Sequence, residues 1–249
     1  MKTLQWIVFI CLCCLPFNVK AGLRILFIGD SITDGNWGNN NTGSPSSQRN
    51  LWDLNHIYGS GYMYLCATFF QSKFPEKDYQ FFNRGISGNK LEDLEKRWEE
   101  DVIQIKPDVL SILIGTNDVN WSLKNHKSFD LEQWELRYRA LIDRSLRANP
   151  KLKIILCAPF TAKTGKLKSS EDYDTRKQMI ERCATSIRKI AKDYKAIFMP
   201  FNELFAFLQG KEVASPESPY WIWDGIHPTP AGHAKMAEMW IKKTRKIFK

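Results

Sequence analysis

The chain has 249 residues, of which 43% are hydrophobic and 25% charged. That length suits one large domain with an ample buried core, and it excludes both a disulfide-stapled miniature scaffold and a chain too polar to fold. The 36 lysines and arginines against 27 acidic residues give a formal charge of +9, much of it dispersed on helical positions or gathered in Lys242-Lys243-Thr244-Arg245-Lys246. There it suits a helix C-terminal dipole, so no nucleic-acid partner is expected, with attraction to an anionic polymer or membrane surface as the alternative.

Residues 1–21 read as a cleaved signal peptide. Lys2 gives a positive start, Leu4 to Leu15 is apolar, and Val19-Lys20-Ala21 offers a cleavage site before Gly22. The apolar run is too short for a membrane-spanning helix. The expected destination is therefore secreted or periplasmic. A lipid anchor on Cys13 or Cys14 is the competing reading, disfavoured by the bulky residues before them. Without Lys2 and Lys20, 34 basic residues remain and exceed the 27 acidic ones by seven. Cys11, Cys13 and Cys14 leave with the leader. Cys66, Cys157 and Cys183 remain, odd in number, far apart and each in an apolar-rich run. Buried free thiols are expected, with one bridge as the alternative.

In chain order, strand-like runs fall at Leu23–Ile28, Tyr79–Phe82, Val109–Ile114, Lys153–Cys157 and Ala196–Met199. They are continuous rather than alternating, as parallel strands buried on both faces require. Helical patterns lie between and after them. They are Gly59–Phe74, Leu91–Ile105, Asp130–Ala148, Asp172–Tyr194 and Pro230–Phe248, three of them stopping at or just before Pro75, Pro107 and Pro150. Asn36 to Gln48, rich in Asn, Ser and Gly, reads as an irregular surface loop. Strands alternating with helices predict a three-layer α/β/α sandwich around a mainly parallel five-stranded sheet, as one domain over residues 22–249.

Sites in such sheets form beyond the carboxyl ends of the strands. Four segments converge there. Gly29-Asp30-Ser31 follows the first run, Gly88 the second, Gly115-Thr116-Asn117-Asp118 the third, and Asp224-Gly225-Ile226-His227 lies on the last long loop. A serine hydroxyl becomes a nucleophile only when a base takes its proton. Ser31 is therefore the candidate nucleophile and His227 the base, with Asp224, three residues earlier, fixing the imidazole tautomer. Asn117 and Gly88, with the Ser31 N–H, are candidate oxyanion donors. Each residue also has a plainer reading: Ser31 as a helix N-cap, Asp224 as a cap for the helix near Pro230, Asn117 and Gly88 as turn residues. His233, inside that helix, reads as packing or surface. Asp30, Asp34 and Asp118 read as loop braces. The order of residues is not the G-x-S-x-G elbow, because Thr33 stands where its second Gly would be. No metal-ligand spacing and no phosphate loop is present, so neither a metal nor another cofactor is expected.

On these blocks, together with Asn83-Arg84-Gly85-Ile86-Ser87-Gly88-Asn89 and the Pro228 that follows His227, the chain resembles the SGNH hydrolases, also called the GDSL esterase/lipase family. The resemblance runs from Gly22 nearly to the C-terminus. It implies a flavodoxin-like α/β fold, a Ser31-His227-Asp224 triad and an oxyanion hole of Ser31, Gly88 and Asn117. Asn89, where many members carry Asp, and Ile32, where Leu is common, are small departures that touch no reacting group.

Substrate must be read from the loops. Trp37 and Trp52 follow the nucleophile, Trp121 follows the Asn117 block, and Trp221 and Trp223 precede Asp224. Trp37, Trp121, Trp221 and Trp223 are the candidate substrate-binding indoles as a group, although for any single one of them loop packing is the stronger reading. Aromatic faces beside a serine, with a polar rim and an export leader, predict an O-acetylated carbohydrate as substrate. A lipid or lysophospholipid acyl esterase is the rival, and a glycan-binding module with a relic site the non-enzyme alternative. The oligomeric state is not legible.

Overall fold

Successive strand residues must face opposite sides of a sheet, and here both sides are apolar. In the computed structural model, which describes residues 22–37, 57–211 and 215–248, five strands form one sheet. They are β1 (Arg24–Gly29), β2 (Gln80–Gly85), β3 (Val109–Leu113), β4 (Lys153–Cys157) and β5 (Ile197–Met199). Every neighbouring pair is parallel, in the order β2-β1-β3-β4-β5. Residues 1–21, read from the sequence as a signal peptide, with Cys13 and Cys14, Trp52, and most of the Asn36–Gln48 loop lie outside the described residues.

Ile25 and Phe27 of β1, Val109 and Leu113 of β3, and Ile155 and Cys157 of β4 point into one layer. That layer is filled from α2 (Tyr62–Lys73), α7 (Phe201–Lys211) and α8 (Pro230–Thr244). The residues between them, Leu26, Ile28, Leu110, Ile112, Ile154 and Leu156, point the other way. They meet α3 (Leu91–Trp98), α5 (Leu131–Ala148) and α6 (Tyr173–Asp193). The predicted three layers are thus built by a period of two in the strands and of 3.6 in the helices. Side chains such as Phe27, Trp98 and Trp240, all fully buried, each contribute roughly 1.5–3 kcal/mol of transfer free energy or more. Cys66, Cys157 and Cys183 are free and buried. No helix among the described residues is long and apolar enough to cross a membrane.

The structure differs from the sequence reading in three elements. The Leu91–Ile105 pattern is not one α-helix, for α3 ends at Trp98 and a π turn, Glu99–Ile103, follows. The wider turn lets Asp101, 1% exposed, face Arg97 and Arg84, with Arg84 Nε 3.4 Å from its Oδ1. Two further helices, α4 (Thr116–Lys124) and α7, were not read from the sequence. In α7 the signal is present, since Phe201, Phe205 and Leu208 stand at helical spacing and all are buried.

The order 2-1-3-4-5 places a switch point between β1 and β3, where the chain's progress along the sheet reverses and a crevice opens at the strand ends. A four-residue turn of helix, α1 (Ser31–Asp34), begins on one side of that crevice, and α4 begins on the other.

His233, in the first turn of α8, ties that helix to α2. Its Nδ1 accepts the Tyr62 backbone N–H at 3.1 Å, which requires a neutral ring. Burial first, and then the charge of His227, push the imidazole down to about 4. A histidine whose folded pKa lies below its unfolded value contributes stability that is complete above about pH 6.5 and is lost as pH falls through about 4. Thermal melts between pH 7 and pH 4 should therefore show a fall in Tm for the wild type that is larger, by about 3–8 °C, than for His233→Asn, whose amide oxygen keeps the Tyr62 bond without titrating. Parallel falls in the two proteins would remove His233 from the acid response.

Candidate active site

Asp30, not Ser31, caps α1: its carboxylate accepts the Ile32 N–H at 3.0 Å. The N-cap reading of Ser31 is thereby set aside, and the hydroxyl is left for another partner. That partner is His227, 196 residues away in sequence, whose Nε2 lies 2.8 Å from Ser31 Oγ. On the far side of the ring, His227 Nδ1 is 2.9 Å from Asp224 Oδ2. The other carboxylate oxygen accepts the backbone N–H of His227 at 2.8 Å and of Ile226 at 3.0 Å. Burial disfavours a charged Asp224. Hydrogen bonds from the His227 ring and from these two backbone N–H groups outweigh it and hold the carboxyl well below its ordinary range. The helix that Asp224 might have capped is capped by Thr229, whose hydroxyl accepts the Gly232 N–H at 3.2 Å.

The loop carrying Asp224 and His227 is a small closed hairpin. An isolated antiparallel bridge joins Ile222 to Pro228, and Trp223 N donates to His227 O at 3.1 Å. The segment after β4 holds it from behind. Thr161 Oγ1 and Ala162 N both donate to Gly225 O, at 2.9 and 3.0 Å, and Thr164 Oγ1 donates to Ile222 O at 2.6 Å. Lys166 Nζ stands 3.4 Å from Asp224 Oδ2, although its side chain is 63% exposed, so solvent weakens the pairing.

Gly88 has φ +81°, and a Cβ there would meet nothing within 4 Å, so its backbone borders open space. Its neighbours are engaged: Ile86 N on Gly29 O, Ser87 N on the Asp34 carboxylate, Asn89 N on Ile86 O and Lys90 N on Asp93. The Gly88 N–H itself has no partner among the described residues. Asn117 sits in the first turn of α4, and its Nδ2 donates to Asn89 O at 3.2 Å, one residue past Gly88.

The three aspartates expected to brace loops do so. Asp30 caps α1, and burial pushes its carboxyl up to about 7. Asp34 holds Ser87. Asp118 Oδ1 accepts the Leu91 N–H, which opens α3, and Trp134 Nε1, each at 3.0 Å, while burial pushes the carboxyl up to about 6. Arg97, which sequence reasoning missed, is a wider brace. Its guanidinium donates to Asn89 Oδ1 at 2.9 Å, to Arg84 O at 2.9 Å and to Gly29 O at 3.3 Å. Only the surplus of carbonyls at the strand ends calls for such a residue, and no local motif marks it.

The indoles divide. Trp121 is 48% and Trp223 57% exposed. Trp121 is one helical turn from Asn117 on α4 with Lys90 Nζ 5.0 Å above its ring, and Trp223 stacks on the His227 ring at 6.2 Å between centroids. Trp37 and Trp221 are corrected: both are buried and offer no face to a ligand. Trp37 folds back from the end of α1, and its Nε1 donates to Gly85 O at 2.8 Å under the Arg84 guanidinium. Trp221 joins the core layer with Phe205 and Ile222. A large apolar ring beside a strand end is worth more inside the core than at its rim.

Comparison with known proteins decides the family. The GDSL-like Lipase/Acylhydrolase family model matches residues 27–235. This chain belongs to that family. It is 31% identical to an acetylxylan esterase from Geobacillus stearothermophilus, over 91% of this chain and 95% of that protein. Its structure is similar to one described as a GDSL-like lipase from Parabacteroides merdae, with TM-score 0.75 and 35% identity, over 92% of this chain and 98% of the other. It is also similar to the Geobacillus esterase, with TM-score 0.69 and 30% identity, over 90% and 95% of the two chains. Catalytic mutants of that esterase replace a serine, an aspartate or a histidine. Membership and these relatives make the protein a carboxylic ester hydrolase.

The Asp118 carboxylate joins the helix that carries Asn117 to the start of the helix that follows Gly88. Removing it should loosen both sides of the crevice together. Asp118→Ala is expected to lower kcat on p-nitrophenyl acetate about 10- to 100-fold with KM changed less than about threefold, while Asp118→Asn, which keeps the acceptor for Leu91 and Trp134, should retain most activity. Steady-state kinetics check this, and an effect confined to KM would place Asp118 in binding instead.

Proposed function

We propose that the protein is an exported serine esterase that removes O-acetyl groups from a carbohydrate, using Ser31, His227 and Asp224 as a catalytic triad. The observation that carries this reading is the unbroken path from Ser31 Oγ through His227 to Asp224, with steps of 2.8 and 2.9 Å; the Gly88 N–H, without a partner among the described residues, and the Asn117 amide follow the neighbouring strands β2 and β3. The kinship with acetylxylan esterases, and the serine, aspartate and histidine changed in catalytic mutants of one of them, support the same assignment.

In this mechanism Ser31 Oγ attacks the acetyl carbonyl carbon as its proton passes to His227 Nε2. Asp224 stabilises the imidazolium that forms and keeps its Nδ1–H directed away from the serine. The carbonyl oxygen gains negative charge and is met by the N–H groups of Ser31 and Gly88 and by Asn117 Nδ2. Collapse of the tetrahedral intermediate breaks the ester C–O bond, and the sugar oxygen leaves with the proton from His227. Water, activated by the same imidazole, then attacks acetyl-Ser31 and releases acetate.

The exposed rings of Trp121, one helical turn from Asn117, and Trp223, stacked on His227, supply aromatic surface that can stack on the apolar faces of sugar rings. The signal-like residues 1–21 support export to where acetylated polymers are met. No metal or other cofactor takes part in the proposed steps.

Ser31→Ala should lower ester hydrolysis by at least about 10⁴-fold with Tm unchanged, a fluorophosphonate should label Ser31, and EDTA should leave turnover intact. His227→Ala should cost about as much and Asp224→Ala less, because the residues act as a unit. Labelling of a different serine, read by peptide mass spectrometry, would overturn the assignment.

Acetyl esters should be cleaved well above octanoyl and longer esters in a p-nitrophenyl series. Trp121→Ala or Trp223→Ala should weaken acetylated sugars about tenfold more than p-nitrophenyl acetate. Faster turnover of the long-chain esters would favour a lipid substrate.

A further inference from the structure

Exposed cations gather at the edge of the sheet opposite Ser31. In a parallel sheet each connection from a helix to the next strand lies at the amino edge, away from the carboxyl edge that carries the crevice. All four connections of this kind present an exposed lysine: Lys77 before β2, Lys106 before β3, Lys151 before β4 and Lys195 before β5. The end of α8 adds Lys242, Lys243, Arg245 and Lys246, again exposed. It reaches the same edge, because the hydroxyl of Tyr79, next to the start of β2, donates to Phe248 O at 3.1 Å.

None of these eight side chains is in an ion pair among the described residues. The acids of the same stretches are fewer and partly engaged. Asp108 accepts the Arg24 N–H at 2.9 Å, Asp193 pairs with Arg139 at 2.8 Å, and Glu76 and Asp78 flank Lys77. A cation suits a helix C-terminus, which favours several of these positions. Lys106 and Lys195 nevertheless stand there at a cost, since both hold left-handed backbone, φ +53°, where glycine is the least strained residue. The four cations of α8 also rim a groove of about 590 Å³ with the partly buried Leu204 and Met239. Glu238, the one acid in its wall, is paired with Lys235 at 3.0 Å.

We infer that the amino edge is a docking face for an anionic phospholipid surface, and that it holds the Ser31 crevice turned away from that surface. Cations spread over four connections and a helix end match the diffuse field of a headgroup layer, and a groove with apolar side chains between cations suits its boundary with the acyl chains. The route of the chain agrees. Gly22, the first described residue, is buried at this edge with its backbone against Asp78 O, so the apolar run that precedes it in the sequence joins the fold on this side. The crevice is well clear of the face. His227 lies three residues before α8, whose 15 residues span about 22 Å and end among the cations. This inference goes beyond the esterase reading and does not depend on which ester is cleaved.

Cosedimentation of the full chain with phosphatidylcholine vesicles, with or without about 30% phosphatidylglycerol, at about 25 and about 300 mM NaCl tests the face. Binding should be at least about tenfold tighter on the anionic vesicles at the lower salt, and that advantage should vanish at the higher. The combined variant Lys242→Gln, Lys243→Gln, Arg245→Gln, Lys246→Gln should weaken binding to anionic vesicles at least about tenfold. Removing four cations from segments that follow the carboxyl ends of β3 and β4, with Lys124→Gln, Lys163→Gln, Lys168→Gln and Lys177→Gln, should weaken it less than about threefold, which separates the face from net charge. Both variants should hydrolyse p-nitrophenyl acetate within about twofold of wild type, and so should the vesicle-bound wild type, because its crevice stays open. Equal binding to the two kinds of vesicle, equal losses in the two variants, or loss of activity on the vesicle overturns the inference. Binding to soluble polygalacturonate without binding to anionic vesicles also overturns it, and would make the partner an acidic polysaccharide.

Discussion

Ser31 stands where it does because backbone meets backbone at the end of β1 with no side chain between. A Cβ on Gly29 would lie 2.2 Å from Leu113 O, and one on Gly85 would lie 2.2 Å from Asp34 N. The first helical turn therefore sits against the end of β2 and in the mouth of the crevice between β1 and β3. Any side chain at either glycine would push that turn outward and carry the serine off the His227 ring. Hydrogen bonds then lock the arrangement. Asn83 Nδ2 donates to Thr33 O at 2.9 Å and to Asp34 O at 3.1 Å, and Asp34 in turn holds Ser87 beside Gly88. Position at this one junction sets Ser31 and the segment of Gly88, the proposed nucleophile and oxyanion donor, together.

The electrostatics divide the labour among the acids. Asp224 is kept ionised because three donors converge on it, and in the proposed mechanism an ionised partner stabilises the histidine once it has taken a proton. Asp30 and Asp118 lie nearby under the opposite pressure, since burial favours their neutral forms. Their oxygens serve as acceptors for fixed N–H groups and hold the scaffold without competing for the catalytic proton. Arg97 gathers the carbonyls of Gly29 and Arg84, and so ties the ends of β1 and β2 together.

Around this centre Trp121 and Trp223 are exposed indoles on elements that also carry site residues. Trp121 lies one helical turn from Asn117, and Trp223 stacks on the His227 ring.

Much of this was legible in the residues themselves. Continuous apolar runs separated by helical patterns identify a parallel, doubly covered sheet, because only such a sheet buries both faces of its strands. The carboxyl-end rule then brings Ser31, Gly88, Asn117 and His227 to one edge. Other features were decided by tertiary structure alone. Trp221 stands two residues from the exposed Trp223, yet it is buried, as is Trp37, because burial depends on which layer has room and not on local spacing. The pairing of Arg84 with Asp101 across the π turn and the Lys166 contact with Asp224 join residues from different elements of the chain. Sequence carries periodicity and turn chemistry, which are local. Charge pairing and cavity shape arise only when distant segments pack, and for this reason they appear in the fold and not in the order of its residues.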